Sequence, residues 1–207
     1  PPMTASSLKI TDMEVFPTSF PVPPEDSVTL GVGRMVKRDA VIVKITTAAG
    51  TVGWGEAHHG RAPGTVAKLI DSALKPLVLG RDAHDVVGVW QHVYDRQLVS
   101  HGLGAATCIG LSGIDMALWD IRGKATGLPL HRLLGGASRA IPAYAGGLSL
   151  GYQPPDALVA EARLHLDAGY RALKLRIGDT VKNDVARIAA VRRAFGEGET
   201  GPAAVRA

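Results

Sequence analysis

Cysteine is almost missing from this sequence: Cys108 is the only one in 207 residues, so no disulfide can form within the chain. Its small flanks, Ala105-Ala106-Thr107 and Ile109-Gly110, predict a buried filler, and a lone thiol suits a reducing, cytoplasmic compartment. No apolar run reaches the roughly eighteen residues that a membrane helix needs, so no membrane partner is expected. Residues 1–9 lack the charged-then-apolar layout of a secretory signal. Aromatics make up only 5%, and the net charge of +4 is scattered, with short clusters such as Lys37-Arg38 and Arg192-Arg193. A surface that tracks phosphates concentrates its cations on one face with stacking rings between them, so nucleic acid is not an expected partner. No two histidines stand at i, i+4 and no Cys/His cluster occurs, which argues against zinc. Gly31-Val32-Gly33 and Gly102-Leu103-Gly104 begin but do not complete a dinucleotide fingerprint, and Ser112 lacks the spacing of a nucleophile elbow.

What is present is ordinary globular material, 46% hydrophobic and 20% charged. Residues 8–16 predict a strand closed by Pro17. A loop punctuated by Pro17, Pro21, Pro23 and Pro24 then runs to about Arg38, long enough to serve as a lid or binding loop. Residues 40–47 and 51–56, joined by Ala48-Ala49-Gly50, complete an antiparallel meander. Apolar residues at helical spacing follow: Val66, Leu69, Ile70, Ala73, Leu74 and Leu77, then Val86, Val89, Trp90 and Val93. Pro76 should kink or end the first helix. Residues 105–126, rich in Gly, Ala and Ser and apolar on most sides, predict a buried helix with close neighbours.

The pattern changes after Gly135-Gly136. Strand 141–150, helix 156–168, strand 171–177 and helix 181–195 alternate, which implies parallel strands with crossover helices. The expected fold is thus an α+β domain, meander plus helices, over residues 1–140. The first two βα units of a barrel or open parallel sheet follow over residues 141–207. In the second helix Val181, Val185, Ile188, Ala189 and Phe195 should face inward. The Gly-, Ala- and Glu-rich tail 196–207 should supply no third strand.

Two sets of residues carry candidate chemistry. Lys174 and Arg176 flank Leu175 on the second parallel strand, so alternation sends both cations to one side. If Leu173, Leu175 and Ile177 pack under helices, the cations face the interior near the strand's C-terminal end, where barrel active sites are built. The alternative is a strand-end pair reaching solvent. The second set lies in Gly53-Trp54-Gly55-Glu56-Ala57-His58-His59-Gly60-Arg61, where His58, His59 and Arg61 could contact an anionic substrate or stand as inert loop residues. Glu56 would accept hydrogen bonds at the strand end.

The run Ser112-Gly113-Ile114-Asp115-Met116-Ala117-Leu118-Trp119-Asp120-Ile121-Arg122-Gly123-Lys124, with Gly127-Leu128-Pro129-Leu130 and Leu133-Leu134-Gly135, resembles a known signature. It is that of the mandelate racemase/muconate lactonizing enzyme branch of the enolase superfamily, with Ile109 where alanine is usual. The resemblance spans residues 8–196. It implies a capping domain before a modified TIM-type barrel, with 17–38 and 57–63 as its two specificity loops. Lys174-Leu175-Arg176 takes the place of the family's Lys-x-Lys pair, with arginine for the second lysine. The resemblance further implies removal of the proton α to a carboxylate through an enediolate stabilised by Mg²⁺. The three carboxylates that hold this ion belong to later strands, so no metal ligand is assigned in this chain. The expected substrate is a small carboxylate, foremost an acid sugar undergoing dehydration. Lys174 would polarise its carboxylate and Arg176 would bind it. Racemisation or cycloisomerisation are the alternatives within the family. A catalytically inactive, truncated fragment serving as an oligomer or interaction module is the alternative outside it. A homo-oligomer is expected.

Overall fold

The computed structural model describes residues 5–27, 29–30, 33–101, 104–146, 152–196 and 204–206. They form two compact units, one of Pro1–Phe20 and Arg38–Ser138, the other of Pro21–Lys37 and Arg139–Ala207.

In the first unit, β1 (Ile10–Pro21), β4 (Lys37–Thr47) and β5 (Val52–Ala57) make one sheet in the order β1-β4-β5. The first strand runs on past Pro17, where the sequence suggested an end. It lies at the sheet edge, and a proline's missing N–H costs no ladder bond when it faces away from the neighbour. Val41, Val43 and Ile45 of β4 alternate inward as expected and are fully buried. Opposite them β5 places Gly55 against Val43 and Gly53 against Ile45. These two glycines leave a backbone trough, and α5 (Gly104–Thr126) lies in it. A Cβ on Gly53 would stand 2.1 Å from the carbonyl oxygen of Ala117, and one on Gly55 2.0 Å from that of Gly113. Gly113 in turn packs on Val43 and Ala57. Helix and strand thus touch backbone to backbone.

The apolar stripe of 66–77 forms α1 (Pro63–Leu69), a π-helical turn (Ile70–Leu74) and α2 (Lys75–Val78). The widened turn sits just before Pro76, whose ring cannot follow an unbroken α-helix. Asp85 caps α3 (Val86–Val93) by accepting the Gly88 N–H at 3.0 Å. A second π-helical turn (Tyr94–Leu98) and α4 (Val99–His101) extend it. Val86, Val89 and Val93 are buried, whereas Trp90 turns outward and stacks on Tyr94. In α5 one face is buried, through Leu111, Ile114, Leu118 and Ile121; Cys108, expected as a filler, is exposed on the other. The short α6 (Leu130–Leu133) closes the unit.

In the second unit, β2 (Thr29–Leu30) and β3 (Gly33–Arg34) pair antiparallel within the stretch that the sequence presented as a long lid or binding loop. Ala145 makes a parallel bridge to Leu173; residues 147–150 of the expected strand lie outside those described. Then come α7 (Pro155–Asp167), β6 (Ala172–Lys174) and α8 (Val181–Phe195). Leu158, Ala162, Leu173, Leu175 and Val191 form their core. The phase of α8 differs from expectation: Arg187, Ala190 and Val191 face inward, and Val181 and Val185 are exposed. The tail also corrects its expectation. Ala204–Arg206 forms β7, parallel to β6, with Ala204 opposite Ala172 and Arg206 opposite Lys174.

Candidate functional site

β6 covers only Ala172 to Lys174 of the expected strand 171–177. Leu173 and Leu175 are sealed under the two helices; Lys174, between them, is exposed, and Arg176, beyond the strand, is half-buried. Lys174 Nζ lies 5.8 Å from the centre of the Tyr144 ring, a cation–π contact. Ile177, expected under the helices, is instead exposed, since the strand ends at Lys174 and the pleat no longer dictates direction.

The turn after β6 is tied down densely. Asp184 accepts the Gly178 N–H at 2.9 Å, and Tyr152 donates its hydroxyl to the Ile177 carbonyl at 2.9 Å. Arg187 donates to Asp179 at 3.3 Å and to Asp184. The Gly178 N–H, then the guanidinium, hold the Asp184 carboxyl below the usual carboxylate range, against the opposing pull of burial.

In the first unit, His58 and His59 stack at 4.5 Å between ring centres. His58 Nδ1 accepts the Gly60 N–H at 3.0 Å and His59 Nδ1 accepts the Arg61 N–H at 2.9 Å. In the neutral ring this leaves each proton on Nε2, so the pair presents two N–H donors. Asp39 Oδ2 approaches His59 Nδ1 at 4.0 Å from a side chain only 3% exposed. Since that nitrogen is already an acceptor, the approach is proximity rather than a hydrogen bond. Arg61 has φ of 63°, a left-handed conformation that costs a non-glycine residue about 1–2 kcal/mol.

The family described as mandelate racemase/muconate lactonizing enzyme, N-terminal domain, matches residues 12–135. The chain belongs to this family. A 3,6-anhydro-α-L-galactonate cycloisomerase of Streptomyces coelicolor is 34% identical over 169 residues, 80% of this chain and 46% of that protein. A D-mannonate dehydratase of Caulobacter sp. is 39% identical over 145 residues, 68% of this chain and 34% of that one. Among solved structures, an enolase-superfamily member from Polaromonas sp. JS666 superimposes with a TM-score of 0.86 at 52% identity, covering 91% of this chain and 49% of its own. A Streptomyces coelicolor racemase with bound magnesium gives 0.81 at 31% identity, covering 95% and 54%. This chain therefore spans about half the length of its relatives or less. Its first unit is the capping domain, antiparallel sheet with helices, and the barrel portion is only partly present in these 207 residues. The relatives are sugar-acid dehydratases and cycloisomerases of the enolase superfamily.

Among the described residues no three His, Cys, Asp or Glu side chains come together to hold a metal ion, so this part of the chain does not fit a magnesium site. Among them, too, no helix is long and apolar enough to cross a membrane. Sequence reasoning missed Tyr144, Asp39 and the Arg187 network. Asp184 and Arg187, three residues apart on one helix, were a readable pair; Asp179 and Tyr152 reach them only through the fold.

Proposed function

We propose that this chain is the capping domain and opening barrel strands of a sugar-acid dehydratase. The observation that carries the reading is the Lys174/Arg176 pair, which flanks the helix-packed Leu175 where β6 ends. A guanidinium offers five N–H donors and no acceptor, so Arg176 binds the substrate carboxylate rather than taking a proton. Lys174 beside it polarises that carboxylate and steadies the charge that develops as the α-proton leaves. The α-proton passes to a base outside this pair, and the β-hydroxyl takes up a proton and leaves as water, giving an enol that tautomerises to the 2-keto-3-deoxy acid. In the first unit, taken by itself, His58 and His59 through their Nε2–H groups, and Arg61, offer donors to an anionic group. The substrate is a small acid sugar and the protein works as a homo-oligomer in the cytoplasm, a compartment that keeps the exposed Cys108 thiol reduced.

The second reading is cycloisomerisation, favoured by the cycloisomerase relative that matches 80% of this chain. The test is incubation of the whole protein with mannonate, galactonate, arabinonate and 3,6-anhydrogalactonate in heavy water. Dehydration gives a 2-keto-3-deoxy product from at least one acid, and Arg176→Met raises KM about tenfold or more, as loss of a charge-assisted bond should. Ring-opening of the anhydro sugar alone would favour the second reading. Absence of both product and α-deuterium exchange with every acid sinks both.

A further inference from the structure

Arg187 is a charged side chain in the interior of the second unit, 6% exposed, on the helix that covers β6. Its two Nη groups reach Asp179 and Asp184, and its guanidinium lies 5.2 Å from the centre of the Tyr152 ring. Its Nε is buried with no hydrogen-bond partner among the described residues. As a stabilising device this is a poor one. A buried guanidinium gives up much of its hydration, and apolar residues of the same volume often serve stability equally well or better. The arrangement does accomplish something else. Asp184 also holds the Gly178 N–H, Tyr152 holds the Ile177 carbonyl, and Asn183 shares Asp179 with the guanidinium. Every residue from 177 to 179 is therefore tied to one cation or to one of its contacts. Gly178, at φ of 116°, makes room for the Tyr152 hydroxyl: a Cβ there would stand 2.8 Å from it. That turn begins one residue after Arg176.

We propose that Arg187 is a positioning residue, which fixes the turn after β6 and through it the placement of Lys174 and Arg176. The proposal rests on the reading of that pair as substrate-binding groups. Its test does not depend on turnover, so the two can fail separately.

The experiment uses the chain itself, with Arg187→Lys, Arg187→Met and Asp179→Asn, read by NMR. Two signals report the geometry: the exchange rate of the Gly178 amide, and the side-chain shift of Lys174, which senses the Tyr144 ring 5.8 Å away. In Arg187→Met the Gly178 amide exchanges at least about tenfold faster and the Lys174 signal moves toward its random-coil position, while helix amides at Leu158 and Val191 hold their rates. Arg187→Lys, which keeps the charge but lacks the fork, recovers less than half of either change. Should Arg187→Met fail to fold, Asp179→Asn, which weakens one arm of the clamp, is expected to give the same local pattern at smaller amplitude. Equal acceleration across all amides of the unit would reduce Arg187 to a stability element and overturn the proposal. So would unchanged Gly178 and Lys174 signals in a folded variant, or full recovery by lysine.

Discussion

Replacing Gly55 by alanine adds one methyl group at the tightest seam of the capping domain. The new Cβ would meet the Gly113 carbonyl oxygen at 2.0 Å and the Ala117 nitrogen at 2.8 Å. Carbon and oxygen need more than about 3 Å, so strand and helix must separate by roughly 1 Å. Neither neighbour is a flexible side chain. The oxygen and nitrogen belong to the backbone of a 23-residue helix whose opposite ends are held by Ile70, Leu74 and Ile121 contacts. Overpacking in a close-packed core costs about 1–3 kcal/mol, and a backbone-to-backbone clash belongs at or above the upper end. Against a total stability of about 5–15 kcal/mol, a loss of about 3 kcal/mol lowers Tm by roughly 10 °C. Urea unfolding followed by far-ultraviolet dichroism measures it. The control is Gly64→Ala in α1, where an added Cβ meets nothing within 4 Å. That change should be neutral or stabilise by up to about 1 kcal/mol. A Gly55→Ala protein within about 0.5 kcal/mol of its parent would refute the backbone-contact account.

Two further expectations concern carboxylates of α5. Asp120 accepts the Trp54 N–H at 2.9 Å and pairs with Lys124, which itself donates to the Val52 carbonyl at 2.8 Å. Asp120→Ala should cost about 1–2 kcal/mol and speed amide exchange at Trp54 beyond that of Val43, as native-state exchange will show. Asp115 is partly buried, and burial raises its carboxyl above the ordinary value. The folded state then holds the proton more tightly than the unfolded one. Stability rises as pH falls through the folded value and levels off below about pH 3.9. Asp115→Asn should therefore raise the urea midpoint at pH 7, with the gain fading toward pH 3; a lowered midpoint at pH 7 would contradict the assignment.

The residues that were legible in the sequence are those whose pattern is local. Val41, Val43 and Ile45 announce a half-buried strand by alternation alone, and Leu173 and Leu175 announce buried positions in the same way. The long run around Ser112 to Lys124 gave the family outright. What the sequence concealed depends on neighbours. Pro17 looked like a strand end because nothing local says that the strand lies at an edge. Val181 and Val185 shared a helical face with Ile188, yet the helix rotates to bury Arg187, whose partners come from a turn and from Tyr152. The Gly-Ala tail had no strand propensity to display, and β7 forms because β6 offers an open ladder. Trp90 fitted an apolar stripe but stacks on Tyr94 outside it.

The carboxylate and ammonium that α5 sends to β5 have a consequence for the sheet as a whole. A border strand normally displays unused amides and carbonyls on which another chain could zip. Here Asp120 and Lys124 occupy two of those sockets on one margin. On the other margin, the loop around Gly80 to Ala83 bonds to Ile10 and Leu8, and Pro17 has no amide to offer farther along. A three-stranded sheet would ordinarily invite extension. In this one, several of the border groups that would accept a further strand are already bonded to its own side chains and loops.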